Sequence, residues 1–172
     1  LAGYEPYDAT EAVILRQLRE FLAENANPYD RTNLTAHVIA DAWIVNSARS
    51  HVVLHHHVAG DLWTTPGGHC DGSPDVLAAA LREAEEESGL TALFSLCPGV
   101  FDLNSGNIPL RQKAWGLEPA HIHFDVCYAF EAAQNAKLRL SEESHELRWV
   151  PLDEAEALVL PEHRRRIAKT RT

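Results

Sequence analysis

The stretch Gly67–Leu90, GGHCDGSPDVLAAALREAEEESGL, combines a glycine-rich loop with a strongly acidic helical segment. Successive residues of an α-helix are rotated by about 100°, which places Glu83, Glu86 and Glu87 on one side of the helix. Carboxylates held this close repel one another in water, whereas a divalent cation such as Mg²⁺ binds them and keeps several water ligands. The stretch therefore predicts a loop–helix unit that binds a metal ion.

Signals for the two ends of this helix lie on either side of the acidic residues. Ser73 is a good N-cap, and Pro74 suits the first helical position because it has no N–H to satisfy. Gly89 suits the C-terminal end, where a left-handed residue is common. We predict a helix from Ser73 to about Ser88, preceded by a Gly67-Gly68 pair whose backbone can approach a ligand closely.

The two ends of the chain are predicted to be helical. Apolar residues recur at helical spacing over about residues 10–24, which predicts an amphipathic N-terminal helix. Its apolar stripe is expected to pack on the core or, alternatively, to form a homodimer contact. Residues 161–172 are basic and predict a final helix. No internal repeat or low-complexity segment is present, so residues 1–172 are expected to form a single domain.

Strand-like segments precede and follow the acidic stretch. Residues 34–45 and 51–58 are rich in β-branched and aromatic residues and predict a hairpin, and residues 122–130 alternate in polarity as a strand does. Residues 104–119 contain several glycines and prolines and are predicted to be a loop. Strands and helices interleave without a strict βαβ order, so we expect an α/β (α+β) fold with a mixed sheet and helices on both faces.

The composition narrows the class of protein and its surroundings. The 172 residues carry a formal net charge of -10, which disfavours binding to duplex nucleic acid or an anionic membrane. No apolar run reaches the length of about 18 residues that a transmembrane helix needs, and the acidic amino end is unlike a signal peptide. Three scattered cysteines, Cys70, Cys97 and Cys127, favour a reducing, cytoplasmic compartment over a disulfide framework.

The spacing within Gly67–Leu90 resembles the signature of the Nudix hydrolase family (MutT-like), G-x5-E-x7-R-E-U-x-E-E-x-G-U, where U is a bulky aliphatic residue. Aligned on Gly68, the signature meets the expected residue types at Arg82, Glu83, Glu86, Glu87, Gly89 and Leu90. Ala84 is smaller than the usual aliphatic residue, and Pro74 stands where the first glutamate is expected. The resemblance implies a Nudix-like α/β/α sandwich.

The resemblance also implies a reaction and a set of ligands. The reaction is hydrolysis of a nucleoside diphosphate linked to another group, with Mg²⁺ as cofactor and Mn²⁺ as a substitute, and the partner is a small nucleotide-like diphosphate. Glu83, Glu86 and Glu87 become metal ligands and catalytic residues, together with the Gly68 carbonyl as a metal ligand. Arg82 would orient a carboxylate. The alternative is an acidic helix face that is solvated and has no role.

A second acidic segment follows the strand-like region. Many Nudix enzymes carry a catalytic or metal-binding glutamate in a loop ahead of a tryptophan, and Glu143, which precedes Trp149, fits that place best. Glu146 is a weaker candidate. The alternative is a polar loop without a catalytic role, because acidic loop residues are common.

The ten histidines invite a zinc hypothesis, which local spacing does not support. Adjacent strand residues point to opposite faces, so His55, His56 and His57 cannot all bind one ion. No C-x2-C or H-x3-H pair with the spacing of a zinc site is present.

Several histidine and aromatic side chains are candidates for contact with a substrate. Residues two apart lie on the same face of a strand, so His55 and His57 share one face and His121 and His123 share another. Aromatic rings can stack on a nucleobase. The alternative is a half-buried polar strand face or ordinary core packing. The candidates are His55, His57, Trp63, His121, His123 and Tyr128.

Pro74 motivates a different class of function. A Nudix-fold module could bind or sense a nucleotide without cleaving it, and the loss of a motif glutamate would fit that role. The intact Glu83, Glu86 and Glu87 favour hydrolysis. The sequence tags that mark some Nudix substrate classes are not recognisable, so the resemblance leaves the specific substrate open.

Overall fold

The computed structural model describes residues 1–172 apart from Ala2, Ala59, Ala114, Trp115 and Glu143. The predicted role of Glu143 therefore falls outside the described residues. The helices are α1 (Ala9–Glu24), α2 (Val76–Ser88), α3 (Leu152–Leu158) and α4 (Arg164–Thr170), with a 3₁₀ turn at Pro161–His163. The strands are β1 (Ala36–Asn46), β2 (His51–His57), β3 (Leu62–Thr64), β4 (Gly67–His69), β5 (Phe94–Ser95), β6 (Asp102–Ile108), β7 (Arg111–Lys113), β8 (Gly116–Glu118), β9 (His121–Ala132) and β10 (Ser144–Pro151).

A mixed sheet lies at the centre of the described chain. Its main strand order is β10-β2-β1-β9-β5, with β3 paired to β2, β4 to β1 and β6 to β9. The long central pair β1–β9 is parallel, and its neighbours are antiparallel. The expected mixed sheet is confirmed, and so is the mixed α and β class of the fold.

The two faces of the sheet are covered by different helices. Alternate residues of β1 point to opposite faces, so Val38 and Ala40 pack in a core with α1 and α2. Trp43 and Val45 belong to a second core, which includes residues of α3 and α4. The Trp43 indole N–H donates to the Thr170 hydroxyl at 2.8 Å, which ties α4 to the sheet. This is the layered arrangement that the family resemblance implied.

The boundaries of α2 differ from the prediction at the N-terminal end. The helix begins at Val76, and Asp75 is its N-cap, because the Asp75 carboxylate accepts from the Ala78 N–H at 3.0 Å. Ser73 instead accepts from the Asp75 N–H, in the loop before the helix. Gly89 ends the helix in the left-handed conformation with φ 72°, as predicted.

The segment predicted as a loop over residues 104–119 contains three strands. β6 pairs antiparallel with β9 along its whole length, from Asp102 opposite Cys127 to Ile108 opposite His121. β7 and β8 form a separate hairpin. The prediction was wrong because strand formation here depends on the long edge that β9 offers, which local composition does not encode.

The basic C-terminal residues are largely anchored inside the molecule. Arg165 and Arg166 bind the buried Asp102 carboxylate at 2.8 Å and 3.2 Å, and Arg166 also binds Asp41 at 2.7 Å. Lys169 lies 2.8 Å from Asp102. Burial alone would raise the pKa of Asp102, but Arg166, Arg165 and Lys169 lower it to about 2. Among the described residues, no helix is both long enough and apolar enough to span a bilayer.

Candidate active site

The glycine pair of β4 allows the backbone to pass between β1 and α2. β4 pairs antiparallel with β1, with Gly67 opposite Asp41 and Gly68 opposite Ala40. A Cβ at Gly67 would lie 2.5 Å from Asp41 Oδ1 and 2.7 Å from the Ala40 carbonyl oxygen, and a Cβ at Gly68 would collide with the Glu83 carboxylate. Backbone atoms exclude a Cβ at Gly67, whereas a Cβ at Gly68 would displace the Glu83 carboxylate, which lies directly against the Gly68 backbone.

Glu87 is the most buried of the three motif glutamates, with 3% of its surface exposed. Its Oε2 accepts a hydrogen bond from the Gly67 backbone N–H at 2.9 Å. The same oxygen lies 3.7 Å from His55 Nε2. The Gly67 N–H thus holds this carboxylate against the loop, and the His55 ring packs beside it.

Arg82 holds the other two glutamates in position. Its Nη1 lies 2.9 Å from Glu83 Oε1 and 3.2 Å from Glu86 Oε2, and its Nη2 donates to the His69 carbonyl at 2.9 Å. One guanidinium can do this because its donors form a rigid planar fork. Asp71 lies farther away, at 4.0 Å from Nη2. Arg82 therefore links α2 to the loop that follows β4.

Pro74 leaves no carboxylate at the first motif glutamate position. Pro74 is exposed at the start of α2, and the adjacent Asp75 caps the helix instead of replacing that carboxylate. The His69 carbonyl supplies the loop acceptor for Arg82. The link between loop and helix is thus present without the missing glutamate.

The donor set suits a hard divalent cation. Glu83, Glu86 and Glu87 lie on one side of α2 and offer only oxygen ligands, and two of them, Glu83 and Glu87, contact the Gly67-Gly68 backbone. Carboxylate and carbonyl oxygens are the ligands that Mg²⁺ and Mn²⁺ prefer. Glu86 has 60% of its side chain exposed and Glu83 has 14%, so solvent reaches the group mainly at Glu86.

His55 and His57 lie on the side of the sheet that faces α2. His55 has 1% of its surface exposed, and its Nδ1 lies 2.7 Å from the Ser144 hydroxyl. Burial, with a smaller contribution from His57, lowers the pKa of His55 to about 4, so this ring is neutral at pH 7. His55 contacts Glu87 from the interior, whereas His57 is half-buried.

Trp63 and Tyr128 lie apart from the carboxylates. Trp63 stacks on His56 at 5.4 Å between ring centroids, and the Arg148 guanidinium lies 4.6 Å above its ring. Tyr128 lines an apolar cavity of about 120 Å³ that also touches Pro74. The structure therefore separates these two aromatic candidates from each other and from Glu87.

His121 and His123 lie on the face of the sheet opposite α2. His123 is the direct partner of His37 in the β1–β9 pairing. The neighbours of each along its strand, such as Val38 and Phe124, point into the core that contains α2, so the two histidines point to the other face. Burial, with smaller contributions from neighbouring histidines, lowers the pKa of His123 to about 3. His69 closes the group, with its ring 5.2 Å from that of His37. This histidine cluster is separate from the motif carboxylates.

Three contacts of the site were not anticipated from the sequence. They are the Gly67 N–H donor to Glu87, the His69 carbonyl acceptor of Arg82, and the Ser144 hydroxyl beside His55. The glycine pair hinted at the first of these, since it predicted a close backbone approach. A backbone carbonyl carries no side-chain signal, so the second could not have been found in the sequence.

A comparison with protein-family models identifies one family whose model matches most of the chain. The model of the NUDIX domain matches residues 35–170, which include the whole sheet path from β1 to β10 and α2. The chain belongs to the Nudix family. The family expected from the spacing of Gly67–Leu90 is thereby confirmed.

Individual Nudix relatives share the fold at low sequence identity. A curated relative, the asymmetrical bis(5'-nucleosyl)-tetraphosphatase of Sus scrofa, is 33% identical over 94 residues, which make up 54% of this chain and 58% of that protein. The chain thus matches little more than half the length of this relative. The C. elegans Ap4A hydrolase binary complex has a TM-score of 0.55 at 19% identity and covers 77% of this chain and 93% of its own.

A second solved Nudix structure matches more of the chain. The NUDIX domain of Shewanella oneidensis NrtR, complexed with ADP ribose, has a TM-score of 0.55 at 19% identity. It covers 89% of this chain and 96% of its own. At this identity the likeness shows the fold alone.

Proposed function

We propose that this Nudix chain is a Mg²⁺-dependent pyrophosphohydrolase that cleaves the diphosphate bond of a nucleoside diphosphate linked to another moiety. The observation that carries the proposal is the contact of Glu83 and Glu87 with the Gly67-Gly68 backbone, with Glu86 joined to Glu83 through Arg82. Arg82 is paired with Glu83 and Glu86, and the three carboxylates exceed the single positive charge of Arg82, which favours a divalent cation. Support also comes from the family and from a relative named as a nucleotide hydrolase.

The chain's own residues have distinct tasks in this proposal. Glu83, Glu86, Glu87 and the Gly68 carbonyl would hold the ion, which when bound supplies neutralisation of charge on the diphosphate oxygens. Arg82 keeps the Glu83 and Glu86 carboxylates at fixed separations from the loop. Water activation is assigned to this group of glutamates, with Glu83 as the first candidate for the base. Glu143 stays a proposed additional carboxylate.

A cleft next to the glycine pair is the proposed place for the rest of the substrate. Its volume is about 430 Å³, and it begins at His69, directly after Gly68. Arg31, Arg111 and Lys113 line it. Glu118 lines the same cleft and pairs with Arg111 and Lys113, so a ligand with phosphate groups, such as a dinucleoside polyphosphate or ADP-ribose, would bind these cations in competition with that carboxylate. Two Nudix relatives carry these ligands in their names: the tetraphosphatase and the ADP ribose complex.

The surroundings of the protein are part of the same proposal. The described chain contains the free thiols of Cys70, Cys97 and Cys127, two of them buried. Burial raises the pKa of Cys70 to about 11, so its thiol is protonated at neutral pH. Such cysteines fit a reducing, cytoplasmic compartment, where nucleotides and Mg²⁺ are abundant. A homodimer is also proposed, and light scattering would test it.

A substrate screen tests the hydrolase proposal. The full chain is incubated with Mg²⁺ and a panel of nucleoside diphosphate derivatives in ¹⁸O-labelled water, and the products are separated and weighed by mass spectrometry. We expect cleavage of at least one derivative, with one ¹⁸O atom on a product phosphate and no turnover when a chelator is present. Binding of nucleotides without turnover of any of them would instead identify a non-catalytic binding module.

A further inference from the structure

We propose that His37, His121 and His123 form a second metal site, specific for a transition ion of the Zn²⁺ class. The site lies on the face of the sheet opposite the motif glutamates. Its ligands are imidazole nitrogens, whereas the site on α2 offers oxygens. The two sites would therefore select different ions, and occupancy of one does not require the other.

The strand pairing brings the three rings together. His37 of β1 is directly opposite His123 of β9, and His121 is two residues away on the same face. One ligand nitrogen of each ring lies within 4.8 Å of those of the other two. The Nε2 atoms of His121 and His123 are 3.0 Å apart. Nitrogens bound to one Zn²⁺ at about 2.0–2.1 Å are separated by distances of this order.

Backbone carbonyls fix the orientation of two of the rings. His37 Nδ1 lies 3.2 Å from the Asn33 carbonyl oxygen, and His121 Nδ1 lies 2.9 Å from the Pro119 carbonyl oxygen. A carbonyl oxygen can only accept, so both Nδ1 atoms carry the proton and both Nε2 atoms present a lone pair. Histidine ligands of metal ions are held in this way, with the second ring nitrogen donating to a carbonyl or carboxylate.

An unsatisfied nitrogen points independently to a missing ligand. His37 has 3% of its surface exposed, and its Nε2 has no hydrogen-bond partner among the described residues. An unsatisfied buried polar atom costs roughly 1–3 kcal/mol. A metal ion bound to this lone pair would remove that cost.

The protons balance without an added base. His121 Nε2 accepts from His123 Nε2 in the metal-free arrangement, because the His121 proton is on Nδ1. When His123 binds the ion through Nε2, its proton moves to Nδ1 of the same neutral ring. No net proton is released by the three histidines.

A cavity of about 390 Å³ reaches the site at His121, which is one of its lining residues. His69, whose ring lies 5.2 Å from that of His37 and 5.7 Å from that of His123, separates the cluster from the cleft lined by Arg31 and Arg111. Three protein ligands leave a fourth tetrahedral position for water or a small ligand. Imidazole ligands favour Zn²⁺, Cu²⁺ or Ni²⁺ over Mg²⁺.

Direct measurement of zinc coordination tests the site. The full chain is freed of metal with a chelator, titrated with Zn²⁺ by calorimetry, and studied by X-ray absorption at one equivalent of Zn²⁺. We expect one tight binding event and imidazole nitrogens in the first shell, both in the original chain and in Glu86→Gln. A first shell of oxygens only would overturn the proposal, and this readout needs no histidine variant.

Matched variants assign the ligands. We expect His37→Gln and His123→Gln each to weaken Zn²⁺ binding by about 100-fold or more, while the exposed His145→Gln leaves binding unchanged. Circular dichroism reports whether each variant is folded. Unweakened binding in folded His37→Gln and His123→Gln would contradict the assignment. The hydrolase proposal stands or falls separately, because its screen contains Mg²⁺ and no zinc.

Discussion

The backbone N–H of Gly67 donates a 2.9 Å hydrogen bond to Oε2 of Glu87, and this contact joins the start of the glycine-rich loop to the acidic end of the Nudix motif. Gly67 starts strand β4, and Glu87 lies in the last turn of α2. A hydrogen bond to a charged acceptor in a buried place is worth roughly 1.5–3 kcal/mol. The loop and the acidic helix thus form one unit before any ligand binds.

Replacing Gly68 by alanine is expected to disrupt the site. The new Cβ would collide with the Glu83 carboxylate, so either the loop or the carboxylate must move. We expect kcat/KM for the best substrate to fall by at least about 10-fold, with little change in the free energy of unfolding, because the displaced carboxylate is the end of a flexible side chain. Gly106→Ala is the control, because nothing lies within 4 Å of its added Cβ. Normal activity in Gly68→Ala would contradict the described packing.

Arg82→Lys tests the role of the guanidinium as a bridge. A lysine ammonium cannot match the planar fork that contacts Glu83, Glu86 and the His69 carbonyl. We expect kcat/KM to drop by about 10- to 100-fold with little change in melting temperature, since Arg82 is half-exposed. Arg16→Lys, on the exposed side of α1, serves as the control. Equal activity of the two variants would show that Arg82 does not position the carboxylates.

Pro74→Glu tests whether the missing motif glutamate limits activity. Arg82 already has an acceptor in the loop, and position 74 is exposed, so a new carboxylate there adds at most a surface ion pair. Such a pair contributes about 0–1 kcal/mol, and we expect kcat/KM to change by less than about fivefold. Steady-state kinetics of the two proteins side by side measure this. If kcat/KM of Pro74→Glu were 10-fold or more above that of the original chain, Pro74 would be shown to weaken the enzyme.

The buried Asp102 predicts a dependence of stability on pH. Burial raises its pKa, but Arg166, Arg165 and Lys169 lower it more, to about 2, against an ordinary value of 3.8. A depressed pKa means that ionised Asp102 stabilises the fold fully above about pH 4, and that this contribution is lost as the pH falls from about 4 to about 2. The loss amounts to about 2 kcal/mol.

Asp102→Asn isolates this contribution. Urea unfolding gives the free energy of unfolding of the variant and of the original chain between about pH 5 and about pH 2.5. We expect the variant to be less stable by about 3–5 kcal/mol at pH 5, and the difference to become smaller toward pH 2.5. Asp153→Asn is the control, because 92% of its side chain is exposed. A gap of constant size across this range would show that Asp102 does not titrate as described.

Much of the acidic unit could be predicted from the sequence because its signals are local. The helical period alone put Glu83, Glu86 and Glu87 on one side, and Gly89 marked the end of the helix. The glycine pair indicated close backbone approach. The start of the helix was misplaced because Ser73 and Asp75 are both good N-caps, and only the loop's hydrogen bonds distinguish them.

Features that depend on long-range pairing could not be predicted. β6 forms because β9 offers it an edge, and the group of His37, His121 and His123 forms because β1 and β9 pair in parallel at one register. A search for closely spaced pairs of zinc ligands along the sequence misses such a group, because its members come from strands that are distant in sequence. The burial of His55 beside Glu87 likewise depends on how β2 packs against α2.

The central claim is that the motif carboxylates on α2 carry divalent-metal catalysis. Glu86→Gln against Glu85→Gln tests it most directly, because both residues are exposed neighbours and only Glu86 lies on the side of the helix with Glu83 and Glu87. The measurement is kcat/KM for the best substrate at saturating Mg²⁺. We predict a loss of about 100-fold or more in Glu86→Gln and less than about twofold in Glu85→Gln. Equal activity of the two variants would contradict the account.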